Sequence, residues 1–162
     1  MQAEELQPKK RNRKRYFGMI ALGVVVFLIV AQLIPVGRTN PPVKAEPNWD
    51  SPRTRELLQR ACFDCHSNET VWPWYSKIAP ISWGIVGDVK SGRSELNFSE
   101  WGSGEAGGNK IVEVIRKGEM PPFYYVWMHP NAKLSDAEKD ELIAGLEATF
   151  GLSSGAGNAS GD

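Results

Sequence analysis

From Phe17 to Ile34 the chain reads FGMIALGVVVFLIVAQLI, 18 residues in which Gln32 carries the only polar side chain. A helix built from such a run has no polar face to show water, which rules it out as a surface helix of a soluble domain. At 1.5 Å rise per residue the run is about 27 Å long, enough to cross the hydrocarbon core of a bilayer with little tilt. KKRNRKRY precedes it and PVGRTNPP follows. Six basic residues (Lys9, Lys10, Arg11, Arg13, Lys14, Arg15) favour the cytoplasmic side, so the chain beyond Pro35 is expected to emerge on the opposite face, with Tyr16 at the interface. A cleaved signal peptide is the alternative, but the run is long for one and no A-x-A site follows it. Residues 1–16 are therefore read as a cytoplasmic basic tail and 17–35 as a retained transmembrane anchor.

Setting that segment aside uncovers a charge asymmetry. The whole chain has 19 Lys plus Arg and 19 Asp plus Glu, but residues 36–162 hold 13 basic against 17 acidic groups, a balance of −4. Phosphate contacts need a basic excess on the folded part, so nucleic acid is not an expected partner. Residues 36–51 carry Pro41, Pro42 and Pro47 among polar residues without apolar periodicity. They read as an extended linker that, at ~3.1 Å per residue, holds the domain up to roughly 50 Å from the membrane. The Gly- and Ser-rich stretch 151–162 is expected to be disordered. The folded unit is thus 52–150.

Inside that unit the patterns are helical, and no run alternates as a strand would. Ser51 and Pro52 form an N-cap and first helical residue, followed by Leu58, Cys62 and Cys65 on one face. A second helix follows Pro80 with Ile81, Ile85 and Val89 in register. A third, capped near Asn109, groups Ile111, Val112 and Ile115 and stops at Gly118. In the last, Ser135 and Glu138 form a capping box, Leu142, Ile143, Leu146 and Phe150 make an apolar stripe, and Gly151 ends it. The fold class is all-α.

Cys62-Phe63-Asp64-Cys65-His66 has the C-x-x-C-H form of a covalent haem attachment site. Two thiols three apart on a helical turn project to one side, where each can form a thioether with a haem vinyl group, and His66 then reaches the iron from that side. These are also the only two cysteines, too few to staple a domain of this size. A thioredoxin-like motif would need βαβ patterning, a zinc site would need a fourth ligand such as His129, and a simple disulfide would need an oxidising compartment. For a second axial ligand the candidates are Met120, Met128 and His129. Met120 leads, because Pro121 and Pro122 fix the backbone after it and can aim its sulfur inward. A Met/His pair raises the reduction potential relative to two imidazoles. Trp72-Pro73-Trp74-Tyr75, Trp83 and Tyr124-Tyr125-Val126-Trp127 concentrate aromatic surface on both sides of the motif in sequence, with Trp72, Trp74, Trp83 and Tyr124 the candidates for the haem walls. Burying ~400 Å² of haem face would contribute roughly 10 kcal/mol, and indole or phenol donors could reach the propionates. Asp64 and Glu119 lie near the ligands and could tune the potential. Asn68-Glu69-Thr70, Asn97-Phe98-Ser99 and Asn158-Ala159-Ser160 match the glycosylation pattern but read as chance occurrences.

In combination, CFDCHSNETVWPWYSKIAPISW, LNFSEW and GEMPPFYYVWMHPNAKLSDAE resemble the small bacterial haem-binding domain family, akin to cytochrome c. The likeness covers about residues 55–147. It implies a cytochrome c-like helical fold, covalent haem c, iron held by His66 and Met120, and a place outside the cytoplasm. The expectation is a monohaem cytochrome anchored in the bacterial inner (cytoplasmic) membrane, with its domain periplasmic. It would pass single electrons between redox partner proteins such as membrane respiratory complexes or periplasmic carriers. The rival expectation is a haem enzyme, peroxidase-like, or a gas or redox sensor with a labile sixth ligand.

Overall fold

The computed structural model describes residues 13–102 and 107–152. The basic tail up to residue 12, residues 103–106 and the last ten residues lie outside the described part. Among the described residues the chain is all-helical, as expected, and contains no strand, only an isolated bridge between Ala45 and Glu100. The helices are α1 (Arg13–Gln32), α2 (Pro52–Ala61), α3 (Phe63–His66), α4 (Ile81–Glu95), α5 (Gly108–Arg116), α6 (Phe123–Met128) and α7 (Asp136–Phe150). Short 3₁₀ turns occupy Trp74–Lys77 and Pro130–Ala132.

α1 is long and apolar enough to cross a membrane, with mean hydropathy 1.9. Ala31, in its last turn, is its one buried residue. Local chemistry sets the ends of α2 and α7. Ser51 Oγ accepts from Thr54 N at 3.2 Å with Pro52 in the first helical turn. At α7 both halves of the Ser135–Glu138 capping box form, and Gly151 closes the helix at φ +64°, in the left-handed region that glycine enters without steric cost.

Three helix assignments need correction. The buried face of α4 is Ser82, Val86 and Val89, while Ile81 is exposed and Ile85 half-buried. α4 packs on α3 and the 3₁₀ turn, and that choice of neighbours turns the helix away from an Ile81–Ile85 face. α5 starts at Gly108 with no side-chain cap from Asn109, although Ile111, Val112 and Ile115 are buried together as anticipated. The motif cysteines are not on α2 with Leu58, because the backbone leaves helical geometry at Cys62 (φ −128°, ψ −34°) and a new helical turn begins at Phe63.

The core lies directly beneath that break. Phe63, between the two cysteines, is fully buried and stacks on Phe98 with ring centroids 5.6 Å apart. Trp101 stacks on Phe98 and on Phe150, and Leu57, Leu58, Leu142 and Leu146 complete the packing of α2 on α7. An apolar residue inside the motif thus ties its position to the whole hydrophobic core.

Residues 36–51 are extended, but they are not a free spacer. Arg38 Nη1 donates to Ser76 O at 3.0 Å, Asn40 Nδ2 to Thr70 O at 2.8 Å and Asn68 Nδ2 to Pro42 O at 3.1 Å. Lys44 N donates to Ser99 O, and Trp101 N donates to Ala45 O. The carboxylate of Glu46 receives both Nε and Nη2 of Arg55. The segment is laid along the helical domain, and the expected reach of roughly 50 Å does not apply.

Candidate functional site

α2, α3, α4 and the Met120–Tyr125 segment enclose a cleft of about 250 Å³. Its wall includes Cys62, Cys65 and His66 on one side of the sequence and Met120, Pro121, Pro122, Tyr124 and Tyr125 on the other, with Asp88, Gly92 and Glu95 from α4. Adjoining hollows of about 190 and 160 Å³ share Cys62 and Met120 with it, and one of about 100 Å³ shares Cys65, Asp88, Tyr124 and Tyr125. The hollows thus share walls at the two cysteines and Met120.

His66 is held by backbone. Its Nδ1 lies 3.0 Å from Gly92 O and 3.1 Å from Leu96 O. Both partners are carbonyl oxygens, so Nδ1 carries the proton and Nε2 keeps its lone pair. A ring nitrogen bonded in this way fixes the tautomer and orientation of a metal-ligating imidazole and raises its basicity. Burial lowers the pKa of His66, and the two carbonyl contacts oppose that shift. The approach of α3 to α4 requires glycine at 92. A Cβ built there would stand 3.0 Å from Cys65 Cβ and closer still to Cys65 O.

Both cysteines are free thiols. Burial pushes Cys62 up to about 12, with Cys65 adding to it, and pushes Cys65 up to about 11, with Asp64 and Asp88 adding. Among the described residues no group of three or more His, Cys, Asp or Glu side chains is arranged to hold a metal ion.

A polar network fixes the turn that leaves the motif. Phe98 N donates to His66 O at 2.8 Å, and Ser67 Oγ donates to Phe63 O at 2.7 Å. Arg93 donates to Ser67 O, Thr39 O, Asn40 Oδ1 and Thr70 Oγ1 at 2.7–3.1 Å. Asn97 Nδ2 donates to Asn68 Oδ1 at 3.0 Å, and Asn68 N to Ser99 Oγ at 2.9 Å. Two of the glycosylation-like triplets are thus buried and bonded to one another.

Across the cleft, Asp64 accepts from Tyr125 OH at 2.8 Å and from Val71 N at 2.8 Å. Burial first, then Asp64, raises the Tyr125 phenol well above its ordinary value. Met120 lines the cleft and the two hollows that share Cys62, and is 37% exposed. His129 is engaged at both ring nitrogens: Nδ1 faces Tyr125 O at 3.1 Å, so Nε2 accepts from Tyr75 OH at 3.0 Å. His129 and Met128 line the hollow beside Cys65 but not the main cleft.

Of the anticipated site residues, the structure brings together Cys62, Cys65, His66, Met120 and Tyr124. It places Trp72, Trp74 and Trp83 outside the cleft wall. Trp72 Nε1 donates to Asn40 Oδ1 at 3.1 Å, Trp74 is 73% exposed, and the buried indole N–H of Trp83 meets no acceptor among the described residues. Trp72 and Trp74 belong to the segment entering the 3₁₀ turn at Trp74–Lys77 and Trp83 to α4, so closeness in sequence does not bring these three to the cleft. The residues that sequence reasoning missed are Asp88, Arg93 and the carbonyls of Gly92 and Leu96, whereas Tyr125 belongs to the aromatic segment expected near the site. Only Gly92 leaves a trace in the sequence, as a glycine in a helix interior.

A sequence model of the family described as Haem-binding domain matches residues 26–148. No curated protein and no solved structure matches the chain.

Proposed function

The chain belongs to the haem-binding domain family, and on that premise we propose that it is a membrane-anchored monohaem c-type cytochrome carrying single electrons between extracytoplasmic redox partners. The observation that carries this reading is the pairing of His66 Nδ1 with the carbonyls of Gly92 and Leu96, in the same cleft as both thiols. It leaves Nε2 as the one nitrogen able to take a metal. The residues fit the group. Cys62 and Cys65 would supply thioether sulfurs, His66 and Met120 would ligate the iron, and Pro121, Pro122 and Tyr124 would supply apolar wall. The haem itself supplies a one-electron iron couple.

Met120 is favoured over His129 because the lone pair on His129 Nε2 is already accepting from Tyr75. Holding the iron with both a thioether and an imidazole would suit a one-electron couple better than substrate activation. The anchor is α1, and the basic residues before and within its first turn favour a cytoplasmic N-terminus and a periplasmic domain. Holding the carrier at the membrane raises its concentration near membrane redox complexes.

The test is mass and spectrum together. Expressed with cytochrome c maturation, the wild type is expected to carry covalent porphyrin mass that the Cys62→Ser, Cys65→Ser double variant lacks. Met120→Ala is expected to convert a low-spin oxidised spectrum to high-spin and remove the sulfur-to-iron charge-transfer band. A wild type that is already high-spin and unchanged by Met120→Ala would point instead to a haem enzyme or sensor.

A further inference from the structure

Large apolar side chains are exposed on α6, where Phe123 is 85% and Trp127 80% exposed, and also in the segment beside the end of α1. Trp74 is 73% exposed, Ile78 43% and Ile81 55%. The same segment is pinned to the end of α1. Gln32 Nε2 donates to Lys77 O at 2.8 Å, and Gln32 Oε1 accepts from Ala79 N at 3.1 Å. Gln32 is the last residue of α1 and the one polar side chain of the apolar run, and both ends of its amide are spent on this contact. Ala31, buried where the rest of α1 is exposed, lies in the same final turn. The chain cannot carry the domain off after that point, because Arg38 returns to Ser76 O and Asn40 to Thr70 O.

We infer that Trp74, Ile78 and Ile81 enter the interfacial layer of the bilayer that α1 crosses, so that the domain rests on the membrane through a second contact besides the anchor. The inference rests on reading α1 as membrane-spanning. The occupant follows from continuity: the segment lies within one side chain's reach of the residue at which the helix leaves the hydrocarbon. Leu33 and Ile34, also exposed, extend the patch from the anchor side. The chemistry agrees. Tryptophan is enriched at the headgroup level, where its ring is half in apolar surroundings and its N–H reaches water. The exposed cations Arg38 and Lys77 flank the patch, where lipid phosphates would lie.

The test uses the full chain with its haem, in liposomes of phosphatidylethanolamine and phosphatidylglycerol. Nitroxide labels at Ile78→Cys and, separately, Ile81→Cys are read for collision with oxygen, which partitions into lipid, and with a water-soluble nickel chelate. Asp140→Cys on α7 serves as the aqueous reference and Val25→Cys in mid-α1 as the hydrocarbon reference; each variant must keep the wild-type haem absorbance. The oxygen-to-nickel collision ratio at 78 and 81 is expected several-fold above that at 140. A ratio equal to that at 140, with position 25 in hydrocarbon, overturns the membrane contact and leaves the anchor standing. Exclusion of both reagents overturns it in favour of a protein covering the patch. An aqueous reading at 25 removes the anchor and the contact together.

Discussion

Replacing Gly92 by alanine tests whether the close approach of α3 to α4 positions the histidine. The new Cβ would meet Cys65 Cβ and its carbonyl carbon at 3.0 Å. Carbon–carbon contacts settle at about 3.5–4.0 Å, so the two elements must part by roughly 0.5–1 Å. The 3.0 Å contact between His66 Nδ1 and Gly92 O then stretches beyond hydrogen-bond range. Overpacking costs about 1–3 kcal/mol, the lost hydrogen bond about 0.5–1.5 kcal/mol, and removal of a helical glycine returns about 0.5–1 kcal/mol. The net is a destabilisation of roughly 1–3 kcal/mol. Gly87 in the same helix is the matched control, since nothing lies within 4 Å of a Cβ built there. Gly87→Ala is expected to stabilise by about 0.5–1 kcal/mol. Urea unfolding of the haem-loaded protein, followed by far-ultraviolet circular dichroism at constant slope, separates the two. Loss of one of its two Nδ1 partners, with the Leu96 carbonyl still at 3.1 Å, makes the imidazole a somewhat weaker donor, so the reduction potential of Gly92→Ala should rise slightly. Equal stability of Gly92→Ala and Gly87→Ala would refute the reasoning.

The remaining predictions concern the polar network and an acid window. Arg93→Lys replaces a planar fork serving four acceptors with a single ammonium. Local opening of the 36–51 segment should become easier by about 1–3 kcal/mol, so tryptic cleavage after Lys44 should accelerate on the order of ten- to a hundredfold, and unchanged cleavage would count against the docked segment. Glu138 is held down from 4.5 to about 2, first by the hydrogen bond from Arg60 and next by Ser135 N. A depressed folded-state value means that its stabilisation is complete above about 4.5 and is lost as pH falls toward 2. Tm measured across that window should fall less steeply in Glu138→Gln than in wild type; parallel curves would exclude this carboxylate as a contributor.

How legible each part was depends on whether its cause is local. The start of α2 and both ends of α7 were readable because a serine, a glutamate and a glycine set them within one turn. The buried face of α4 was not, since a 3.6-residue period does not choose between Ile81–Ile85 and Val86–Val89, and Ser82 at the buried position carries no apolar signal. α6 was missed because FYYVWM has no polar residue against which a period could show. The 36–51 segment looked free because its partners, Thr70, Ser76, Ser99 and Trp101, lie tens of residues away. At the site, the thiols and His66 were visible as a motif, while the groups orienting His66 are main-chain carbonyls that any residue supplies.

On the proposed reading as a membrane-anchored electron carrier, the tying down of residues 36–51 changes how the chain would meet its partners. A domain on a slack tether samples a hemisphere and can present its redox edge at many heights. Held at the foot of its anchor, this one would diffuse only laterally, with its cleft at one elevation and a narrow set of tilts. Encounters would then be governed by two-dimensional search, and a donor or acceptor would need its own redox centre at a matching distance from the lipid surface. Lengthening the span just after Gln32 should restore vertical freedom and broaden the range of proteins with which exchange is fast.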